Sequence, residues 1–394
     1  MSISHTQLQR LRKNTPGCAD TLHFNNAGAA LPSREVLAVQ QEHLAREAAI
    51  GAYEAAAEAT ERREAVYDTI AALVGGHRDE IALVESATRA WQLAFYAFTF
   101  QPGDRILTSV AEYGSNFIAY LQVARRTGAV VEVVPDDADG QLDVAALRKM
   151  IDDRTRLVSV THVPTNGGLV NPAAAIGAVT REAGVPYLLD ACQSVGQMPV
   201  DVEQIGCDML SATGRKYLRA PRGTGFLWIR RSLLQELEPP LLDAAGATWS
   251  SRDGYTLKET ARRFECWEHA VAGRLGLAVA AEEAMSIGLD CIYARTQALA
   301  ERLRAQLTAL RGVTVHDKGR ERCGIVTFTV EGLDPEEIRS RLRAQRMNIW
   351  LTHSDMTRLD MDARDLPVMA RASVHFYNTD DEVDRFCLAV DGLR

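Results

Sequence analysis

The chain has 394 residues, of which 46% are hydrophobic and 24% are charged. This composition is typical of globular proteins and excludes a disordered or fibrous chain. The 44 Lys and Arg residues against 52 Asp and Glu residues give a formal charge of −8. An acidic excess without a basic block argues against nucleic acid or an anionic membrane as a partner.

Seven cysteines are scattered along the chain, with no CxxC pair and no histidine cluster beside them. The pattern fits neither a disulfide framework nor a zinc site, so no metal is expected. The N-terminal segment lacks the apolar core of a signal peptide, and no apolar run is long enough to span a bilayer. We therefore expect a soluble, cytoplasmic protein.

Short β-rich runs alternate with helical spacing between about residues 80 and 230. Strands are predicted at Ile81–Val84, Arg105–Ser109, Val130–Val134, Leu157–Val160, Tyr187–Leu189, Met209–Ser211 and Gly225–Ile229. Helices are predicted at Ala90–Phe98, Phe117–Arg126, Val144–Ile151 and Pro172–Ala183. This alternation predicts an α/β fold with a doubly wound, mostly parallel sheet. Ligands of such sheets bind beyond the carboxyl ends of the strands, so the loops there are the candidate site.

After about residue 265 the pattern changes to long helices followed by a compact mixture of strands and helices. The predicted elements are helices at Trp267–Met285, Asp290–Leu310, Pro335–Ala344 and Asp380–Leu393, and strands at Ile325–Val330, Asn348–Leu351 and Ala372–Phe376. We predict a large domain over residues 20–265. A smaller α+β domain would combine residues 266–394 with residues 1–19, which would pack back onto it.

One lysine has informative surroundings. Lys216 closes the stretch Ser211–Lys216, which follows an apolar strand, and Asp190 ends an earlier strand. Glu85–Thr88 lies where a strand gives way to a helix. A pyridoxal phosphate site needs such parts: an amine for the aldehyde, a carboxylate for the ring nitrogen, and a helix N-terminus with small or hydroxyl residues for the phosphate. Each part alone is weak, but their combination in this order is specific.

From Phe24–Gly28 to Ala372–Thr379, the chain resembles the class V branch of the fold-type I pyridoxal phosphate enzymes. That branch includes cysteine desulfurases, isopenicillin N epimerase-like proteins and the C–S lyases of ergothioneine biosynthesis. The stretches Glu112–Gly114 and Arg219–Gly225 are most similar to the latter two groups. The resemblance implies a pyridoxal 5'-phosphate cofactor, an amino-acid substrate and a homodimer with its active sites at the interface.

The resemblance also implies a role for each matching residue. Lys216 would be the Schiff-base lysine and, once displaced, the general base. Asp190 would pair with the pyridinium nitrogen, and Gln193 would bond the phenolic oxygen of the cofactor. Tyr113 would stack on the cofactor ring and is the third candidate catalytic residue.

Further residues are implied to hold the phosphate, the phenolic oxygen or the substrate. The phosphate would be bound by Ala87, Thr88, Thr213 and Arg215. Either Thr165 or Asn166 would approach the phenolic oxygen. The substrate would be bound by Arg371, through its carboxylate, and by Asn26 and Ala29.

Two departures from the desulfurase pattern bear on the reaction. Desulfurases carry a nucleophilic cysteine on a loop of the small domain, and the corresponding stretch Trp350–Arg358 contains none. On this ground the sequence disfavours a cysteine desulfurase. In desulfurases a Gly-Thr pair reaches the partner's phosphate, and Trp267 and Glu268 stand there instead. Whether these two residues contact the partner subunit's cofactor is left open.

The sequence therefore favours a C–S lyase that eliminates sulfur from an S-substituted cysteine. An amino-acid epimerase and a class V aminotransferase are the alternatives among enzymes, because all three reactions begin with loss of a bond at Cα. A non-catalytic binding protein on this fold is the alternative from another class. Lys216, Asp190 and Gln193 are all present, which argues against it.

Overall fold

Strands and helices alternate through the first half of the chain, as the computed structural model shows for residues 3–393, the part that it describes. The helices are α1 (His5–Lys13), α2 (Arg34–Ile50), α3 (Ala52–Glu58), α4 (Thr60–Val74), α5 (Ala87–Phe95), α6 (Gly114–Thr127), α7 (Val144–Met150), α8 (Ala173–Ala183), α9 (Val202–Ile205), α10 (Arg231–Leu234), α11 (Val271–Ile287), α12 (Leu289–Ala309), α13 (Pro335–Ala344), α14 (Arg358–Ala363) and α15 (Asp380–Asp391). The strands are β1 (Leu22–His23), β2 (Ile81–Val84), β3 (Arg105–Ser109), β4 (Val130–Val134), β5 (Thr155–Thr161), β6 (Tyr187–Asp190), β7 (Met209–Thr213), β8 (Gly225–Ile229), β9 (Ala247–Ser251), β10 (Gly254–Leu257), β11 (Val313–Val315), β12 (Ile325–Val330), β13 (Met347–Asn348), β14 (Trp350–Leu351) and β15 (Ala370–Ser373).

A seven-stranded sheet with the order β2-β8-β7-β6-β5-β3-β4 forms the centre of the fold. Only β8 runs antiparallel to its neighbours, and the other pairs are parallel. Successive residues of one strand pack into two different hydrophobic cores, one on each face of the sheet. Leu188 packs on one face, whereas Tyr187 and Leu189 pack on the other. Both faces are therefore covered, as is usual for parallel sheets. The predicted α/β class with a mostly parallel sheet is confirmed.

A smaller antiparallel sheet with the order β11-β12-β15-β14 lies near the C-terminus. Its apolar side chains form a separate core with those of α12, α13 and α15. The predicted strand Ala372–Phe376 is wrong in its bounds, because β15 ends at Ser373. The chain leaves the ladder there and makes a turn in which Asn378 N–H donates to the carbonyl oxygen of His375 (2.9 Å).

The N-terminal residues contact this C-terminal region. Arg12 on α1 donates to the carbonyl oxygen of Tyr377 (2.7 Å) and to the Glu382 carboxylate (2.8 Å). Strand β1 pairs in parallel with β13. The division into domains of residues 20–265 and of residues 1–19 with 266–394 stays a prediction. Between residues 3 and 393, none of the helices combines the length and apolarity that a membrane crossing requires.

Two features between residues 240 and 271 differ from the sequence prediction. The hairpin of β9 and β10 was not predicted, and most of its residues are exposed. A strand without a buried face has no apolar alternation to detect. The helix expected from Trp267 begins at Val271, because Trp267 and Glu268 form a bend, Ala270 is extended and Trp267 N–H donates to Asp243 Oδ2 (2.8 Å).

Candidate active site

One buried pocket lies at the carboxyl edge of the central sheet. Asp190 is the last residue of β6, and Lys216 follows the end of β7 by three residues. Tyr113 immediately precedes α6, and Ala87 begins α5. The structure brings together nine of the predicted cofactor residues as pocket lining: Ala87, Thr88, Tyr113, Thr165, Asp190, Gln193, Thr213, Arg215 and Lys216.

Asp190 is a buried carboxylate held by two donors. Its Oδ2 accepts from Asn116 Nδ2 (3.0 Å), and its Oδ1 accepts from the backbone N–H of Cys192 (2.9 Å). Burial raises the pKa of Asp190, while these donors and the charge of Lys216 act in the opposite direction. Each oxygen has capacity for a second donor, so the carboxylate suits a protonated ring nitrogen.

Gln193 lines the same pocket with unused hydrogen-bonding capacity. Its Nε2 donates to the carbonyl oxygen of Ala27 (3.2 Å), whereas its buried Oε1 has no partner within the described part of the chain. Buried polar atoms are rarely left without a partner, so an orphaned atom that lines a pocket indicates a missing ligand. The residues present therefore fit a polar cofactor in this position.

The other end of the pocket suits an anion. It lies at the N-terminus of α5, where the first N–H groups lack helical partners. The pocket is also lined by Ser86, Thr88 and Thr213, which carry hydroxyls, and by Arg215. The Ser86 hydroxyl caps the helix by accepting from Arg89 N–H (3.2 Å), and Arg215 donates to the carbonyl oxygen of Gly28. This set of donors fits the cofactor's phosphate.

Arg371 on β15 lies directly behind the pocket wall. Its Nη1 donates to the hydroxyl (2.6 Å) and the carbonyl oxygen (3.1 Å) of Thr165, which lines the pocket. Its Nε has no hydrogen-bond partner among the described residues. Burial lowers the pKa of Arg371 to about 10. A buried guanidinium with free N–H groups can bind a carboxylate through two bonds.

Three other predicted residues lie outside the pocket lining. Asn166 Nδ2 donates to Thr357 Oγ1 (3.0 Å), so Thr165 rather than Asn166 faces the pocket. Asn26 is fully buried, and its Nδ2 donates to the carbonyl oxygen of Ser373 (2.7 Å). The carbonyl oxygen of Ala29 bonds His23 Nε2 (2.8 Å). The roles assigned to Asn166, Asn26 and Ala29 stay predictions.

The sequence prediction missed two polar residues next to Tyr113. Asn116 lines the pocket and bonds Asp190, and Glu112 is buried beneath it. The available signal was that both lie in the short stretch before the predicted helix Phe117–Arg126, beside the candidate residue Tyr113. That signal alone does not say that the pair faces a strand 74 residues further along the chain.

The sequence profile described as aminotransferase class-V matches residues 21–386. The chain belongs to this family. It is 31% identical over 392 residues to a probable cysteine desulfurase of Halobacterium salinarum, covering 98% of this chain and 94% of that protein. It superposes with a TM-score of 0.91 on the apo structure of a cysteine desulfurase from Thermococcus onnurineus NA1, at 27% identity and with 98% and 97% of the two chains covered.

A cystine C–S lyase, solved in complex with its reaction product cysteine persulfide, shares the fold. Its TM-score is 0.85 at 23% identity, with 96% of this chain and 99% of that chain covered. The family and these likenesses establish a fold-type I enzyme of class V that depends on pyridoxal phosphate and acts on amino acids.

The prediction that disfavoured a cysteine desulfurase is wrong. Relatives and solved neighbours across nearly the whole chain are named cysteine desulfurases. The prediction depended on one stretch, Trp350–Arg358, which here forms β14, a 3-10 turn and the start of α14. A missing thiol there removes one position for a sulfur acceptor. It leaves unchanged the pocket in which a bond to sulfur would be broken.

Proposed function

We propose that this enzyme breaks the bond between Cβ and sulfur of an S-substituted cysteine by β-elimination. With one water, the substrate would yield a thiol, pyruvate and ammonium. The observation that supports the proposal is the pocket shared by Lys216, Asp190 and Tyr113, with Arg371 behind its wall. Among the described residues, Cys192 is the only cysteine that lines it. Burial raises the pKa of Cys192, which keeps its thiol protonated.

Pyridoxal phosphate, when bound, supplies an electron sink for the charge left at Cα. Lys216 would take the proton from Cα, because it carries the only amine side chain among the described residues that line the pocket. Asp190 would hold a proton on the ring nitrogen through its buried charge. Arg371 would orient the substrate by binding its carboxylate.

Tyr113 would give the departing sulfur its proton. It lies at the start of α6 with its side chain half-buried at the pocket. A phenol can donate a proton to the sulfur as the bond to Cβ breaks, and it is large enough to cover a ring face. In an epimerase or an aminotransferase the same site would return the proton to carbon instead. These two reactions are the alternatives that the product analysis below separates.

Desulfuration of free cysteine is the second candidate function, and the names of the relatives favour it. In that reaction a thiolate attacks the substrate's sulfur, which leaves as a persulfide, and the remaining three carbons become alanine. Since Trp350–Arg358 has no cysteine, the acceptor would be another thiol, from this chain or from solution.

We also propose that the enzyme is a homodimer whose partner covers the region beside the pocket. Trp249 is 81% exposed and Trp267 is 60% exposed, and Tyr255 and Leu241 are exposed near them in sequence. Trp249 and Tyr255 are paired across the hairpin of β9 and β10, so their exposed rings lie on one face of it. Contiguous exposed apolar side chains of this kind indicate an interaction surface. A second copy of the chain would bury them.

A substrate panel with the holoenzyme tests the proposed reaction. Cysteine S-conjugates, their sulfoxides, cystine, free cysteine and plain amino acids are incubated, and keto acid, ammonium, thiol and alanine are measured. Pyruvate from the S-substituted cysteines is expected. A keto acid that retains the whole side chain would replace lysis by transamination, and inverted amino acid alone would replace it by epimerisation.

A further inference from the structure

Glu112 is a buried residue, 3% exposed, and it does not line the pocket. Its oxygens accept from Thr108 Oγ1 (3.0 Å), Tyr113 N–H (2.9 Å), Asn116 Nδ2 (2.9 Å) and Thr161 N–H (3.0 Å), and also from the Thr161 hydroxyl. The donors come from β3, β5 and the start of α6. Three of them are N–H groups, which only an acceptor can satisfy.

Asn116 joins this carboxylate to the pocket. Its Nδ2 donates both to Glu112 Oε1 (2.9 Å) and to Asp190 Oδ2 (3.0 Å). An amide nitrogen carries two hydrogens, so these bonds use both and fix the orientation of the Asn116 side chain. The second oxygen of Asp190 is held separately by Cys192 N–H. One of the two bonds that orient the Asp190 carboxylate therefore depends on Glu112, through the Asn116 amide.

We propose that Glu112 is a positioning residue for the reaction of this enzyme: its carboxylate aims Asp190 through Asn116 and fixes the backbone of Tyr113. The proposal depends on the proposed role of Asp190 at the ring nitrogen. It does not depend on which bond of the substrate is broken. Its support is the chain of hydrogen bonds from Glu112 to both pocket residues.

The groups that face Glu112 are Asp190, through Asn116, and the buried phenols Tyr120 of α6 and Tyr187 of β6. Burial raises the pKa of Glu112 to about 7, whereas the bonds from Thr161, Asn116 and Tyr113 favour the charged form. A purely structural carboxylate would satisfy the same N–H groups. It would contribute stability without affecting the proton on the ring nitrogen.

The test uses Glu112→Gln holoenzyme loaded with cofactor that carries ¹⁵N in the ring. The glutamine NH2 group would meet an N–H donor at either oxygen position, Thr161 N–H at one and those of Tyr113 and Asn116 at the other, so the bonds that orient Asn116 should be weakened. We expect the pH at which the ring nitrogen loses its proton, read from its ¹⁵N chemical shift, to fall by about one pH unit or more. The value of kcat should fall roughly 10- to 100-fold, with KM little changed.

Asn116→Ala is the second variant, because it leaves Glu112 and its backbone donors in place. It should lower the ring nitrogen's deprotonation pH in the same way, and it keeps the proposal testable if Glu112→Gln does not fold. Because Glu112 acts on Asp190 through Asn116, the double variant should show no further ¹⁵N shift beyond Asn116→Ala. An additional shift in the double variant, or a wild-type titration in Asn116→Ala, would overturn the proposal.

Asp317→Asn is the matched control. Asp317 is likewise a buried carboxylate, and it accepts from Thr327 N–H and Oγ1 (both 2.8 Å) and from Arg304 Nε (2.6 Å). Its replacement should lower the thermal midpoint and leave the ¹⁵N titration unchanged. If Glu112→Gln behaves like this control, its role is structural and the proposal is wrong. If Asp190→Asn also leaves the titration unchanged, the assignment of Asp190 fails instead.

Discussion

The amine of Lys216 is buried in a pocket with Asp190, and its removal is the most direct change to a single side chain. Lys216→Ala should lose the cofactor absorbance band that borohydride abolishes, and turnover should fall by several powers of ten. Lys149→Ala, at an exposed lysine of α7, is the control and should match the wild type. Wild-type turnover in Lys216→Ala would show that another group carries the chemistry.

Asp190→Asn keeps the shape of the side chain but removes its charge. We expect kcat to fall roughly 100- to 1,000-fold, as for loss of a preorganised group in a dry site. Burial raises the pKa of Asp190, so its charge is lost at a higher pH than for an ordinary Asp as the pH falls. The acid limb of the wild-type pH–rate profile should be absent from Asp190→Asn. An unchanged rate would mean that a different acid faces the ring, and the exposed Asp153→Asn is the control.

The shared pocket of Lys216 and Asp190 could be predicted because each lies at or just beyond the end of an apolar strand, whereas Gln193 was named only from the resemblance to class V enzymes. Glu112 and Asn116 could not be predicted in the same way. Their partners Thr161 and Asp190 are 49 and 74 residues away, and only the parallel pairing of β3, β5 and β6 brings them together. Residue roles that depend on such long-range contacts cannot be predicted from the neighbouring residues in the sequence.

Among the elements, strands β2, β3, β4 and β8 were predicted with their observed bounds. The predictions for β5, β6 and β7 were too short, because each strand continues beyond its apolar run to a polar residue: Thr161, Asp190 and Thr213. The exposed hairpin of β9 and β10 was missed. Helices α2 and α3 are separated at Gly51, whose positive φ of 104° interrupts a helix that the alanine-rich composition of this region favours.

Gly114 at the start of α6 lies against the 3-10 turn Ser354–Met356, and a Cβ there would collide with the carbonyl oxygen of Asp355. Gly114→Ala should therefore push the turn away from Tyr113. We expect a loss of about 1–3 kcal/mol in unfolding free energy and a raised KM. Gly392→Ala is the control, because a Cβ there meets only ordinary contacts, the nearest at 3.6 Å. Unchanged stability and KM in Gly114→Ala would mean that the two segments do not pack in this way.

For the whole molecule, the lowered pKa values of two buried histidines predict how the free energy of unfolding depends on pH. Burial lowers the pKa of His162 to about 4 and that of His375 to about 3, below the value of about 6.5 for an unfolded chain. The unfolded state thus binds protons that the folded state excludes. The contribution of each histidine to the free energy of unfolding is complete above about pH 6.5. It is lost as the pH falls toward 4, and at pH 5 each histidine has lost about 2 kcal/mol.

Thermal unfolding of the holoenzyme at pH 7 and pH 5 checks this. His162→Gln should show a smaller fall in the thermal midpoint between the two values than the wild type does. The exposed His5→Gln should show the wild-type fall. An identical pH dependence in His162→Gln would contradict the account of this buried ring.

The proposed dimer is also a property of the whole molecule. Sedimentation equilibrium of the holoenzyme should give twice the chain mass of 43.3 kDa. Trp267→Glu should shift the equilibrium toward the monomer, because it would place a charge within a buried apolar contact. An active, cofactor-replete monomer would contradict the proposal that the site lies at a subunit interface.

The central claim is elimination of sulfur from an S-substituted cysteine at the Lys216 site. The measurement that tests it most directly is the molar ratio of pyruvate, thiol and alanine formed by the holoenzyme from such a substrate. We predict equal amounts of pyruvate and thiol, no alanine, and no product from Lys216→Ala. Alanine with a persulfide in place of pyruvate with a thiol, or no release of sulfur at all, would contradict it.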